Sequence, residues 1–289
     1  MEKTIVADVQ KILNTTNVEV VERLMGGMSN YTYVVKADEL LYTYRIPGDY
    51  SDYFVDRRIE KANIKIVECL NITNKTIYLN VEDGKKMATY LPGKPLSMID
   101  SSDYPYQQVV QVLKKIHQSN IKAVNDYAPF VRLTKYETIN RELGFQHPTE
   151  YHDLQTDFFK YREFLDHTPK LLTHGDSQPS NFVLNDNQLF VVDFEFCGNN
   201  DPIYDIACFA NKKYEDGLKL LDAYFTTPNY EEKMRFHLWR CFQCFQWYNV
   251  AIFKEMKGLS KTLHIDFAQV ANHYLELIHF LLDKISKLR

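Results

Sequence analysis

The spacing of apolar residues changes once along this chain, and that change limits its architecture. Before residue 92 the pattern is mostly of period two. Residues 18–24 alternate polar and apolar and stop at Gly26-Gly27. Residues 31–36 and 40–46 follow as two strand-like runs, with Asp38-Glu39 as the turn between them. Residues 76–80 and 86–91 read as two more strands, joined through Glu82-Asp83-Gly84. One helical pattern intervenes at 56–69, where Ile59, Ala62 and Ile66 fall near one face. Pro92, Gly93 and Pro95 then mark a connection that is neither strand nor helix. From Tyr106 onward the spacing is three and four. Val109, Val110, Val112, Leu113 and Ile116 line one helix, and Phe267, Val270, Tyr274, Ile278, Leu281 and Ile285 line another. Short strand-like runs at 182–184 and 189–194 interrupt the helices. The expected class is α+β, with a small β-rich N-terminal lobe over 1–91 and a larger, mainly helical lobe over 92–289. Ligand clefts often form at such junctions.

Composition excludes several functions. The 289 residues are 45% hydrophobic and 25% charged, ordinary values for a soluble globular protein and far from those of a disordered or low-complexity chain. The net charge of −4 argues against general nucleic-acid binding, where a basic surface supplies most of the affinity. The N-terminus lacks the basic and apolar regions of a secretory signal, and no apolar run reaches the ~18 residues of a membrane span. Five scattered cysteines fit reduced thiols and a cytoplasmic location. Cys241 and Cys244 form a C-x-x-C pair one turn after His237, but inside an apolar helical pattern and without a second pair. Helix packing explains them better than a metal or redox site. No sequence feature sets an oligomeric state.

The most informative stretch is Leu172-Thr173-His174-Gly175-Asp176-Ser177-Gln178-Pro179-Ser180-Asn181, followed at a short distance by Val191-Val192-Asp193-Phe194-Glu195. An apolar run delivers each acidic group to its end. Phosphoryl transfer needs a carboxylate to orient or deprotonate a hydroxyl, and oxygen ligands to hold magnesium on a triphosphate. Asp176 can serve as the base. Asn181 and Asp193 offer a neutral and an anionic oxygen, both suited to a hard cation.

These two motifs, in this order and spacing, resemble those of the kinase-like phosphotransferases, which include the choline and ethanolamine kinases and the aminoglycoside phosphotransferases. Gly175 before the base and Glu195 after Asp-Phe match the small-molecule branch, not the protein kinases. The resemblance implies a bilobal protein-kinase-like fold and ATP and Mg2+ as cofactors. It implies that Glu195 assists a second magnesium, that His174 buttresses the catalytic loop, and that Asp205 ties that loop down. A helix N-terminal acid explains Asp205 equally well. The resemblance also places the phosphate-covering loop at Gly26, Gly27, Ser29 and Asn30, where glycines permit close approach and the polar residues offer donors. It gives Arg45 the role of the phosphate-binding cation on the third strand, Glu60 that of its partner, and the backbone at Thr89 and Leu91 contact with adenine. A solvent-exposed helix charge is the alternative for Glu60.

The acceptor is expected from the aromatics. Phe236, Trp239, Phe242, Phe245, Trp247, Tyr248 and Phe253 crowd one segment that contains both tryptophans. A helical core strip accounts for some of them. Quaternary ammonium is held by aromatic walls, and choline kinases similarly carry an aromatic-rich helix here. The expected cage is therefore Trp239, Phe245, Trp247 and Tyr248, with Phe196 and Tyr214 as secondary contacts. The pattern looks most like the bacterial choline kinases that supply phosphocholine for surface polymers. Another small-molecule kinase, such as an aminoglycoside phosphotransferase, and a catalytically silent nucleotide-binding protein are the competing readings.

Overall fold

A computed structural model describes residues 1–24 and 30–288. The expected loop residues Gly26, Gly27 and Ser29 lie outside the described residues. The chain forms two compact units, one of residues 1–125 with 176–198 and the other of 126–175 with 199–289. This division by compactness differs from the contiguous one at 91 and 92, because the helix Tyr106–His117, which packs on the strand Gln188–Val191, and the segment 176–198 belong to the same unit as the N-terminal sheet.

The first unit holds a five-stranded sheet in the order β1-β2-β3-β5-β4. Its strands are β1 (Val18–Leu24), β2 (Asn30–Ala37), β3 (Leu40–Pro47), β4 (Thr76–Leu79) and β5 (Lys86–Thr89). All neighbours run antiparallel, with Tyr33 facing Tyr44 and Arg45 facing Lys86. One face is covered by a helix that the sequence reading did not foresee, α1 (Glu2–Leu13). Its Ile5 and Val9, one turn apart, are fully buried against Tyr33, Val35, Ala37, Tyr44 and Met87. Burying two such side chains contributes about 3–6 kcal/mol. A polar clamp completes the contact: Asp8 Oδ2 accepts from the Tyr44 hydroxyl at 2.7 Å and from Lys85 Nζ at 2.8 Å.

The helix α2 (Arg57–Val67) lies between β3 and β4 in the chain. Asp56 caps it, accepting from the N–H groups of Arg58 and Ile59. Its buried residues are Arg57, Glu60, Asn63, Ile64 and Val67. Burying two charges and an amide on one helical stripe is costly unless they are paired, so α2 does more than fill the core. Further along the unit, a hairpin of Phe182–Asn185 and Gln188–Val191 replaces the two strand-like runs. The second strand ends at Val191, not at 194. Asp193 has φ 70° and ψ 61°, a left-handed conformation that stops a strand.

The second unit is helical: α3 (Tyr106–His117) belongs to the first, and here follow α4 (Pro129–Glu142), α5 (Thr149–Phe159), α6 (Arg162–Asp166), α7 (Pro202–Cys208), α8 (Tyr214–Phe225), α9 (Tyr230–Met256), α10 (Leu259–Leu263) and α11 (Phe267–Lys287). The central helix, α9, starts with a capping box between Asn229 and Glu232 and packs against α4, α5, α7 and α11. It is therefore buried around most of its circumference. Among the described residues no helix is long and apolar enough to cross a membrane.

Candidate active site

The hairpin explains how Asn181 and Asp193 are brought together. Phe182 pairs with Val191, and the Val192 N–H donates to the Asn181 carbonyl at 2.9 Å. Asn181 and Asp193 thus flank the same end of the ladder. The Asn181 amide nitrogen donates to the Asp176 carbonyl at 2.7 Å and to its Oδ2 at 3.2 Å. Gln178 Nε2 donates to the same Oδ2 at 3.1 Å. Since the Asn181 nitrogen is committed to Asp176, Oδ1 is its remaining acceptor. Burial raises the Asp176 carboxyl well above its usual range, the negative charges of Asp193 and Glu195 add to this, and the donors Gln178 and Asn181 oppose it.

A second cluster adjoins Asp193. The Arg45 guanidinium donates to Glu60 at 3.0 Å, to Asp193 Oδ1 at 3.2 Å, to Glu195 Oε2 at 3.5 Å and to the Gly84 carbonyl at 3.3 Å. The expected Arg45–Glu60 pair is therefore formed, and Glu60 is fully buried. Arg57 escaped the sequence reading. It bridges Glu60 at 2.7 Å and Glu195 at 2.8 Å. The i,i+3 spacing of Arg57 and Glu60 on α2 was the available signal. Burial alone would push the Glu60 carboxyl up, but Arg45 foremost brings it down to about 2. Asn30, expected as a phosphate donor, has its amide on Glu195 at 3.3 Å.

Glu60, Asp193 and Glu195 bring ligand oxygens within 4.8 Å of one another. The cation these three surround in this structure is the Arg45 guanidinium. Glu195 is shared between two arginines, whereas Asp193 remains partly exposed beside Asn181. Oxygen donors of this kind, one anionic and one neutral, fit magnesium.

In the second unit, Asp205 on α7 accepts from the N–H of His174 at 2.8 Å and of Gly175 at 2.9 Å. Gly175 has φ 82°, which favours glycine. These residues immediately precede Asp176, so Asp205 does tie down the start of the loop. Removing a buried acceptor strands two N–H groups, at about 1–3 kcal/mol each. Asp205→Ala is expected to lower stability by roughly 3 kcal/mol in denaturant titrations, and an unchanged midpoint would contradict that role.

Thr89 is tied into the sheet: its N–H donates to the Lys75 carbonyl at 2.9 Å, and its carbonyl accepts from Asn74 Nδ2 at 3.0 Å. Leu91 lies just beyond β5. The aromatic residues of α9 do not converge on one cage. Trp239 is buried toward α7, where Nε1 donates to Asp201 at 2.6 Å and the ring meets Tyr204 edge-on. Arg235 also pairs with Asp201. Phe245 and Tyr248 point toward α5 instead, Tyr248 stacking on Tyr151 with centroids 5.0 Å apart. Trp247 is half-buried. Tyr214 packs edge-on to Phe280 of α11, and Phe196 closes the short 3-10 turn after Asp193 in the first unit. At ~100° per residue, position 239 faces away from 245 and 248, which share the side toward α5. Cys241 and Cys244 are fully buried in the same helix, and burial pushes both thiols up.

A family model described as choline/ethanolamine kinase matches residues 21–236. The chain belongs to the choline/ethanolamine kinase family. That match contains Asp176, Asn181, Asp193, Arg45 and Glu60. Protein LicA of Haemophilus influenzae is 26% identical over 221 residues, covering 74% of this chain and 65% of that relative. The chain thus spans a little under two thirds of that relative's length. Among solved structures, choline kinase LicA from Streptococcus pneumoniae superposes with a TM-score of 0.78 at 23% identity, covering 98% of this chain and 99% of that one. A LicA in complex with AMP gives a TM-score of 0.77 at 20% identity, covering 99% of both chains. These likenesses establish the protein-kinase-like fold of this family member.

Proposed function

We propose that this member of the family transfers the γ-phosphoryl group of ATP to the hydroxyl of choline, giving phosphocholine. The observation that carries the reading is the hairpin that holds Asn181 and Asp193 beside Asp176. All three residues lie within the segment the family model matches, and their chemistry suits a base and two metal ligands.

In this reading Asp176 receives or orients the choline hydroxyl proton, and Asn181 fixes the carboxylate through its amide. Asp193 and the Asn181 oxygen would hold magnesium, with Glu195 assisting. Bound there, the metal supplies positive charge to the phosphates during transfer. Arg45 positions phosphate beside Asp193, with Gly26, Gly27, Ser29 and Asn30 covering it. The nucleotide lobe is residues 1–91, adenine meeting backbone near Leu91, and residues 92–289 carry catalysis and the acceptor. ATP supply places the enzyme in the cytoplasm, and its product suits decoration of a surface polymer.

Choline is favoured by the LicA relatives, not by the α9 aromatics, which this structure spends on packing. The test is ADP release with ATP, magnesium and a panel of choline, ethanolamine and kanamycin. Choline-selective turnover that EDTA abolishes is the expected result. Kanamycin-selective turnover would keep the catalytic assignments and overturn the acceptor. No turnover with any acceptor while ATP binds would favour the silent reading.

A further inference from the structure

The first unit contains a cation with no role in the site described so far. Lys86 of β5 stands directly opposite Arg45 of β3. Directly opposed residues in an antiparallel ladder project from the same face. Alternation along β5 agrees: Met87 is buried against α1 on one side of the sheet, as Lys85 just before the strand reaches Asp8 there, so Lys86 projects to the other. Lys86 is half-buried. Its electrostatic neighbours are Arg45, Glu60, Asp193 and Glu195.

Each arginine near it is already matched. Arg45 pairs with Glu60, Asp193 and Glu195, and Arg57 pairs with Glu60 and Glu195. Lys86 makes no ion pair and no hydrogen bond through its ammonium among the described residues. Burial lowers its proton affinity and Arg45 lowers it further, and the charges of Glu60, Asp193 and Glu195 offset this only in part. An ammonium withdrawn from water beside a guanidinium is unfavourable unless an anion joins it.

We propose that Lys86 is a second cation of the nucleotide site, binding the polyphosphate chain beside Arg45. The inference rests on the reading that this protein binds ATP. It divides the work between the two cations. Arg45, fixed among carboxylates, orders Asp193 and meets the phosphate next to it, while Lys86, without an ion pair of its own, adds its charge along the chain. A flexible ammonium acting as a point charge suits a phosphate chain whose geometry changes during transfer. Asp8 supports the arrangement from behind, since it holds Tyr44 and Lys85, the residues adjacent to Arg45 and Lys86 in sequence.

The experiment measures Mg-ATP affinity by calorimetry and thermal stability with and without Mg-ATP. It uses the full chain, Lys86→Met and Lys86→Arg. Lys86→Met is expected to weaken ATP about tenfold, the effect of losing ~1.4 kcal/mol of binding. Its melting temperature without nucleotide should stay the same or rise, because a half-buried charge without an ion pair has gone. Lys86→Arg should restore ATP affinity to within about threefold. ATP binding by Lys86→Met within about twofold of the unmodified protein would overturn the assignment to Lys86 alone. Equal destabilisation by both substitutions, with no selective loss of ATP, would overturn it in favour of packing. Failure of the unmodified protein to bind ATP would overturn the nucleotide reading and this inference together.

Discussion

Replacing Asp176 with Asn should lower kcat for choline by about 10²- to 10⁴-fold, the usual contribution of a positioned general base, while leaving ATP affinity within about twofold. The expectation follows from what Asp176 touches. Its Oδ2 accepts from Gln178 and Asn181, and its backbone carbonyl accepts from Asn181. An asparagine retains one oxygen that can take both side-chain donors, so the loop keeps its shape. It loses the carboxylate proposed to orient or receive the hydroxyl proton. Arg45, Glu60 and Asp193 keep their contacts, so nucleotide binding should survive. Steady-state kinetics beside calorimetric ATP binding separates these effects. Near-native kcat would remove Asp176 as the base. A parallel loss of ATP affinity would show that the substitution had disturbed the metal-suited pair as well.

How far this site was legible depends on the kind of signal each residue left. Asp176, Asn181 and Asp193 lie in one short stretch whose apolar runs pair as a hairpin, so local spacing was enough to bring them together. The strands of the main sheet were legible for the same reason, since Val18–Leu24, Asn30–Ala37 and Leu40–Pro47 follow their alternation closely. The first helix is short and buries only Ile5 and Val9 fully, with Ile12 packed beside them, so its apolar spacing is a weak signal in the sequence. The local i,i+3 spacing could suggest the Arg57–Glu60 pair, but not the contact with Glu195, which is distant in sequence and which only folding places at 2.8 Å. The α9 aromatics are ambiguous in the sequence for a physical reason. A helix buried on most sides needs large apolar residues on most sides, and this produces the same composition as a binding cage. Burial of Trp239 against Asp201 separates the two cases, and no property of the isolated segment does.

Replacing Glu60 with Ala should destabilise the protein by about 3–5 kcal/mol, since removing one partner of a buried ion pair leaves the other charge uncompensated. Glu60 is fully buried and holds Arg45 at 2.8 Å and Arg57 at 2.7 Å. Without it the two guanidinium groups crowd one another and compete for Glu195, and Arg45 loses the carboxylate that fixes its position beside Asp193. The melting temperature should fall by roughly 10 °C, and kcat/KM for ATP should fall as well. Glu60→Gln should cost less, because an amide oxygen can still accept from one arginine. The pH dependence has a definite sign. Burial pushes the Glu60 carboxyl up, but Arg45 overcomes this and lowers it from 4.5 to about 2. A carboxyl held low in the folded state contributes stability fully above its unfolded value near 4.5. That contribution is lost as the pH falls from there toward about 2. Melting curves at neutral pH and across this acid range test both parts. The unmodified protein should lose stability through the window, and Glu60→Ala should lose less, having already forfeited the contribution. Equal acid sensitivity in the two proteins would show that other carboxylates govern the transition and that Arg45 is held without Glu60.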